Sequence, residues 1–239
     1  MKSALSMVHP LGALLVLLLA VSVWSGPNRP AVAGEAENAQ QLVDKARLTL
    51  NAFVADKEMG PPLKELLKKA RGVLIYPQVL RGAFVFGVSG GSGTFVAYDA
   101  KAKKWGGPAF YTIGEVSFGL QAGGDASEVV LVALSERGMT ALLATSAKLG
   151  ADVGVALGPV GAGAEAATAN LSADIISYSR AKGLYAGVSV EGAVVATRDA
   201  LNRAYYGKEA SPTDILVKRA VSNKKAAGLI SAVSKAAGK

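Results

Sequence analysis

The order of apolar and polar positions divides the chain into a short hydrophobic leader, a helical opening, a long strand-rich middle and a helical close. Ala39, Leu42, Val43, Ala46, Leu50 and Phe53 recur at three and four residues, the spacing of one helix face. Met59-Gly60-Pro61-Pro62 interrupts that stripe. Leu63, Leu66, Leu67 and Ala70 resume it until Gly72, which predicts a second helix. The period then shortens. Val73 to Tyr76, closed by Pro77, reads as a strand, and Ala83 to Val88 and Thr94 to Tyr98 flank Gly90-Gly91-Ser92-Gly93 as a hairpin would. Further extended segments are predicted at Ala109 to Ile113, Val116 to Gln121 and Val129 to Leu134. Ser135 is placed to cap a helix that Gly150 ends. Strands resume at Asp152 to Leu157, Ile175 to Ser179, and Leu184 to Thr197 with a break at Glu191-Gly192. A helix over Arg198 to Tyr205 follows. Ser211-Pro212-Thr213-Asp214 then has the cap, first-turn proline and acid that start a C-terminal helix.

Strands in the middle with helices at both ends predict an α+β single domain. Its sheet should be largely antiparallel and glycine-rich, a barrel or a sandwich, with N-terminal helices and a C-terminal helix. The domain is expected to span 34–239. Residues 1–33 have the form of a signal peptide: Lys2, an apolar run of 13 residues from Leu11 to Val23, breakers at Gly26, Pro27 and Pro30, and Ala31-Val32-Ala33 as the cleavage pattern. Thirteen helical residues rise only about 20 Å, short of a bilayer core of about 30 Å. Cleavage after Ala33 would give an exported protein, periplasmic or secreted, with Gly34 first. The chain has no cysteine, so no thiol is available for a lipid anchor.

Composition narrows the chemistry further. The one histidine, His9, falls in the leader, so residues 34–239 contain neither histidine nor cysteine. Gly87-Val88-Ser89-Gly90-Gly91 fits a nucleophile elbow, but no imidazole is available to take the Ser89 proton. Ser179-Arg180-Ala181-Lys182 and Ser222-Asn223-Lys224-Lys225 fit a serine–lysine pattern without its companion motifs. Gly161-Ala162-Gly163-Ala164-Glu165-Ala166 fits a dinucleotide fingerprint without its strand–helix context. Zinc and transition metals lack good ligands. The expectation is no enzyme, no cofactor, no metal and no catalytic residue.

Positive charge is the informative signal. The chain carries 26 lysines and arginines against 18 acids, net +8, and removing Lys2 and Arg29 leaves 24 basic residues. These cluster as Lys64, Lys68, Lys69, Arg71 and Arg81, as Lys101, Lys103 and Lys104 before Trp105, and as Lys218, Arg219, Lys224 and Lys225. The first two clusters and Trp105 are the candidate lipid-binding residues. Trp105 suits either a headgroup boundary or the core.

Several blocks, in order over most of residues 70–207, resemble the SYLF family. Ala70-Arg71-Gly72-Val73-Leu74-Ile75-Tyr76-Pro77 is similar to its opening motif, and Trp105-Gly106-Gly107-Pro108-Ala109-Phe110-Tyr111 with Gly119-Leu120-Gln121-Ala122-Gly123 to its centre. Lys148-Leu149-Gly150-Ala151-Asp152 and Gly158-Pro159-Val160-Gly161 resemble the next block. The run from Ser177 through Tyr178-Ser179-Arg180 to Gly192, and Asn202-Arg203-Ala204-Tyr205-Tyr206-Gly207, resemble the closing ones. The resemblance implies a lipid-binding module, since eukaryotic relatives bind phosphoinositides through an amphipathic helix and basic residues. Some of those relatives bind actin beside an SH3 domain. With a leader and no SH3-like extension here, actin is an unexpected partner. The expected ligands are anionic phospholipids, phosphoinositide-type or phosphatidylglycerol and cardiolipin, with no nucleic acid. A structural or protein-interaction domain of the cell envelope is the alternative.

Overall fold

A computed structural model describes residues 31–83, 86–118, 123–160, 173–181, 184–185 and 190–239. The predicted leader through Pro30 and the Gly161–Ala166 loop lie outside the described residues. Helices α1 (Ala31–Ala55) and α2 (Gly60–Lys69) open the domain. Strands β1 (Gly72–Ala83), β2 (Phe86–Asp99), β3 (Lys104–Phe118) and β4 (Gly123–Ala133) follow, then α3 (Glu136–Leu143). Short strands β5 (Ser146–Lys148) and β6 (Val155–Leu157) precede β7 (Ile175–Ala181), β8 (Leu184–Tyr185) and β9 (Val194–Thr197). The close is α4 (Asp199–Tyr206), α5 (Pro212–Leu216), a 3-10 turn Lys224–Ala226 and α6 (Ala227–Ala237).

The strands form one sheet in the order β5-β9-β3-β2-β1-β4-β7-β6, with β8 on β7. Every pairing is antiparallel except β6 with β7. Eight flat strands would put β5 and β6 roughly 34 Å apart at about 4.8 Å per strand. Yet only Leu149–Gly154 joins them, a link that reaches about 25 Å when fully extended. A bridge between Leu149 and Val153 shortens it further. The sheet must therefore curl, and the alternative of barrel or sandwich resolves as a half-barrel.

Near the start of β1 both faces of the curled sheet are buried, so the runs 73–76 and 129–133 are apolar on both sides. Val73, Ile75, Val96, Phe110, Val130 and Ile176 pack under α1, α2, α4 and α6, meeting Leu50, Phe53, Leu67 and Val233. Leu74, Tyr76, Phe95, Tyr111, Leu131 and Val195 fill the other face with Leu142 of α3 and Leu216 of α5. Asn202 of α4, fully buried, accepts the Phe110 N–H at 2.9 Å, and Phe110 O accepts the Arg198 N–H at 2.8 Å. Together with β9, these bonds cover the outer edge of β3.

Several expectations are corrected. Gly90-Gly91-Ser92-Gly93 is no hairpin turn but the middle of β2, a 14-residue strand. A Cβ on Gly91 would lie 2.3 Å from Gln78 O, and one on Gly93 2.5 Å from the Tyr76 ring. The glycines let β1 and β2 approach. Ser89 accordingly sits in a ladder with Arg81 and Glu115 as neighbours, at 8% exposure, and not on an elbow. Pro77 does not end β1, because the register shifts there against both β2 and β4 and a bulge accommodates the missing donor. The segments 109–113 and 116–121 are largely one strand, β3. Helix α3 stops at Leu143, short of Gly150. The predicted C-terminal helix divides, leaving Lys218 and Arg219 between α5 and the 3-10 turn.

Candidate functional site

Antiparallel pairing brings the start of β1, the end of β2, the start of β3 and the end of β4 to one end of the sheet. Arg71 enters β1 there, donating its N–H to Ala133 O at 2.9 Å and accepting from Tyr98 N at 2.8 Å. Its guanidinium pairs with Glu136 in the first turn of α3. Lys68 and Lys69 form the last turn of α2, where a cation complements the helix dipole. Lys68 also pairs with Glu65 at 2.6 Å.

The turn between β2 and β3 supplies Lys101 and Lys103, and β3 opens on Lys104, all exposed. Asp99 holds this turn by accepting Lys101 N at 2.8 Å and Ala102 N at 3.0 Å. The Ala102 N–H is the leading cause, with Lys101 and Arg219 adding, of an Asp99 carboxyl pKa below its usual range. Arg219 fastens the turn from outside, 3.4 Å from Asp99 and donating to Lys104 O at 2.8 Å. Lys103 and Arg219 both take left-handed backbone, at φ of 50° and 54°.

The two candidate clusters thus meet, with one exception. Lys64, one helical turn before Lys68, joins the same end. Arg81 does not: nine residues along β1 place it about 30 Å away. It lies 3.7 Å from Glu115. Trp105 is 3% exposed and belongs to the core, so the structure supports its packing role. Its indole stacks at a tilt on Tyr98, centroids 5.4 Å apart. Among the described residues, no carboxylate lies within ion-pair distance of Lys64, Lys69, Lys101, Lys103 or Lys104. These five form the exposed cationic end.

Sequence reasoning missed Lys239, whose ammonium reaches the same end and donates to Lys68 O and Ala70 O. Nothing local marks that lysine. The Tyr98–Trp105 contact was accessible in principle, since the two residues face each other across a β2–β3 turn.

Two grooves flank α1. One of about 550 Å³ runs past Leu48, Thr49 and Pro77, where Glu128 accepts from Thr49 at 2.8 Å and pairs with Arg180. The other, about 340 Å³, lies between Asn38, Lys45 and Arg198. Among the described residues no three or more histidines, cysteines, aspartates or glutamates gather as a metal site. No helix among them is long and apolar enough to cross a membrane.

Residues 114–236 match the family model Ysc84, described as "Las17-binding protein actin regulator". Protein YSC84 of Saccharomyces cerevisiae is 32% identical over 202 residues, covering 81% of this chain and 42% of that protein. LAS seventeen-binding protein 3 of the same species is 30% identical over 201 residues, 81% of this chain and 43% of its own length. The human SH3 domain-containing YSC84-like protein 1 is 30% identical over 185 residues, 75% of this chain and 54% of its own. The chain spans about two fifths to one half of the length of these relatives.

Proposed function

The chain belongs to the Ysc84 (SYLF) family, and on that premise we propose that it is a non-enzymatic binding module that docks peripherally on anionic phospholipid. The observation that carries this reading is the convergence of Lys64, Lys69, Lys101, Lys103 and Lys104 at one end without carboxylate partners. Each basic side chain near an anionic surface contributes on the order of 1 kcal/mol, and salt screens it over about 8 Å. The β2–β3 turn alone could then supply about 3 kcal/mol. Phosphatidylglycerol and cardiolipin, or a phosphoinositide, present the matching charge. The chain's place of action is proposed as exported, on the strength of Leu11 to Val23 and Ala31-Val32-Ala33. N-terminal sequencing of the accumulated protein should return Gly34, and residues from Leu11 to Val23 would refute export by cleavage.

The test of docking is co-sedimentation with phosphatidylglycerol vesicles at low and high salt. Binding should weaken with salt and with Lys101, Lys103 and Lys104 changed to glutamine. Binding indifferent to both would remove the cationic end from the mechanism. The names of the yeast relatives favour a second reading, in which this end meets an acidic protein surface. Absence of vesicle binding at low salt would make that reading the better one.

A further inference from the structure

Lys239 sits in a receptor of a different kind from its lysine neighbours. Its Nζ donates to Lys68 O at 2.9 Å and to Ala70 O at 3.0 Å, both at the C-terminal end of α2. The same atom lies 4.0 Å from the centroid of the Tyr98 ring and 5.6 Å from that of Trp105. Helix-end carbonyls carry the negative pole of the helix dipole, and the ring faces add their quadrupoles. Two carbonyls and two ring faces from α2, β2 and β3 thus converge on one cation. The core fixes the walls, because Trp105 and Ala70 are 3% and 1% exposed. The occupant is held against opposition: burial first, then Arg71, lowers the Lys239 pKa. Among the described residues no carboxylate pairs with it.

We propose that this is an ammonium-binding site filled in cis by Lys239, and that its exchangeable ligand is the primary ammonium of a phosphoethanolamine headgroup. Two of the four contacts are N–H···O=C bonds, which a primary ammonium can make and a quaternary one cannot. The phosphate of such a headgroup would meet the rim, where Lys69 is exposed and Arg71, exposed too, is shared with Glu136. The site deepens the docking reading by naming a headgroup, but it stands on its own contacts and does not need a membrane.

The probe is soluble O-phosphoethanolamine, titrated calorimetrically into the full chain and into Lys239→Ala, with O-phosphocholine as the control. Emptying the site should tighten phosphoethanolamine binding about tenfold over the unsubstituted chain and leave phosphocholine about tenfold weaker. In the Lys239→Ala background, Tyr98→Phe should keep that gain and Tyr98→Leu should lose it, with melting temperatures showing that each variant is folded. A Lys239→Ala protein that melts lower yet binds neither probe would overturn the proposal, reducing Lys239 to a staple on α2. So would equal binding of the two probes. Vesicles of constant phosphatidylglycerol content, diluted with phosphatidylethanolamine or phosphatidylcholine, separate the two readings. If no vesicle binds while soluble phosphoethanolamine still does, docking fails and the ammonium site stands. If vesicles bind with no preference for phosphatidylethanolamine in Lys239→Ala, docking stands and the ammonium site fails.

Discussion

The two ends of the sheet hold their basic residues differently, although the arginine at each, Arg71 and Arg81, has a glutamate partner. At the far end Asp125, Arg81, Ser89 and Glu115 stand in register across β4, β1, β2 and β3. A strand residue inside a sheet has neighbours directly opposite, so a charge there lies near whatever charges the flanking strands carry. Arg81 stands opposite Asp125 on β4 and reaches past Ser89 to lie 3.7 Å from Glu115. At the near end the sheet runs out, and the cations come from a helix terminus and a four-residue turn. Turn positions have no cross-strand partner. Lys101 and Lys103 project from the turn and Lys104 from the first position of β3, opposite Asp99 but with no ion pair to it, because Asp99 is held by the turn's own backbone and by Arg219. Availability of charge follows from the element that carries it, more than from the number of basic residues.

The contrast can be broken or sharpened by substitution. The largest expected effect is on stability: Trp105→Ala should cost about 4 kcal/mol in urea unfolding, as deletion of a buried aromatic does. A loss below about 1 kcal/mol would return Trp105 to the surface and enlarge the near-end site. Next, glutamine at Lys101, Lys103 and Lys104 together should reduce affinity for phosphatidylglycerol vesicles by about a hundredfold at low salt. Arg81→Gln should leave it within about twofold, and equal losses at both ends would abolish the distinction drawn here.

A smaller effect concerns the cap beside the near end. Ser135 caps α3 by accepting Gly138 N at 2.9 Å while its hydroxyl donates to Asp174. Ser135→Ala should lower stability by about 1 kcal/mol. The Ser135 bond is the leading cause, with Gly154 N–H and Arg137 adding, of an Asp174 pKa below its usual range. A carboxyl with a folded pKa below its unfolded value of about 3.9 contributes stability that is complete above that value and lost as pH falls through the folded one. Asp174→Asn should therefore lower stability at pH 7 and flatten its decline below about pH 4; an unchanged acid limb would exclude this carboxyl. Last and smallest, vesicle affinity should stay constant from about pH 5 to 8, because residues 34–239 contain no histidine to change charge there.

Much of the fold was legible because its signals are local. The stripes of α1 and α2 are periodic, and the caps at Ser135 and Ser211 announce their helices. What misled was composition whose cause is tertiary. Gly90-Gly91-Ser92-Gly93 has the make-up of a turn, but it is needed because Gln78 and Tyr76 of β1 press against it. Pro77 reads as a stop unless the bulge around it is known. The cationic end was visible as two clusters some thirty residues apart, and only the antiparallel return of β2 and β3 unites them. Lys239 lies beyond any such pattern, since its partners are carbonyls that every residue possesses.

The cover over the outer edge of β3 also governs how the chain can reach this state. Strands β1 to β3 follow one another and pair with near neighbours in sequence, whereas Tyr111 must wait for Thr197. Pairing across so long a separation is slow compared with closing a hairpin. A folding chain therefore holds β3 as an open edge until residues 194–202 arrive, and an open edge invites a strand from another molecule. Asn202, which takes the Phe110 N–H, is thus a latch against self-association during folding as much as a bond in the finished core.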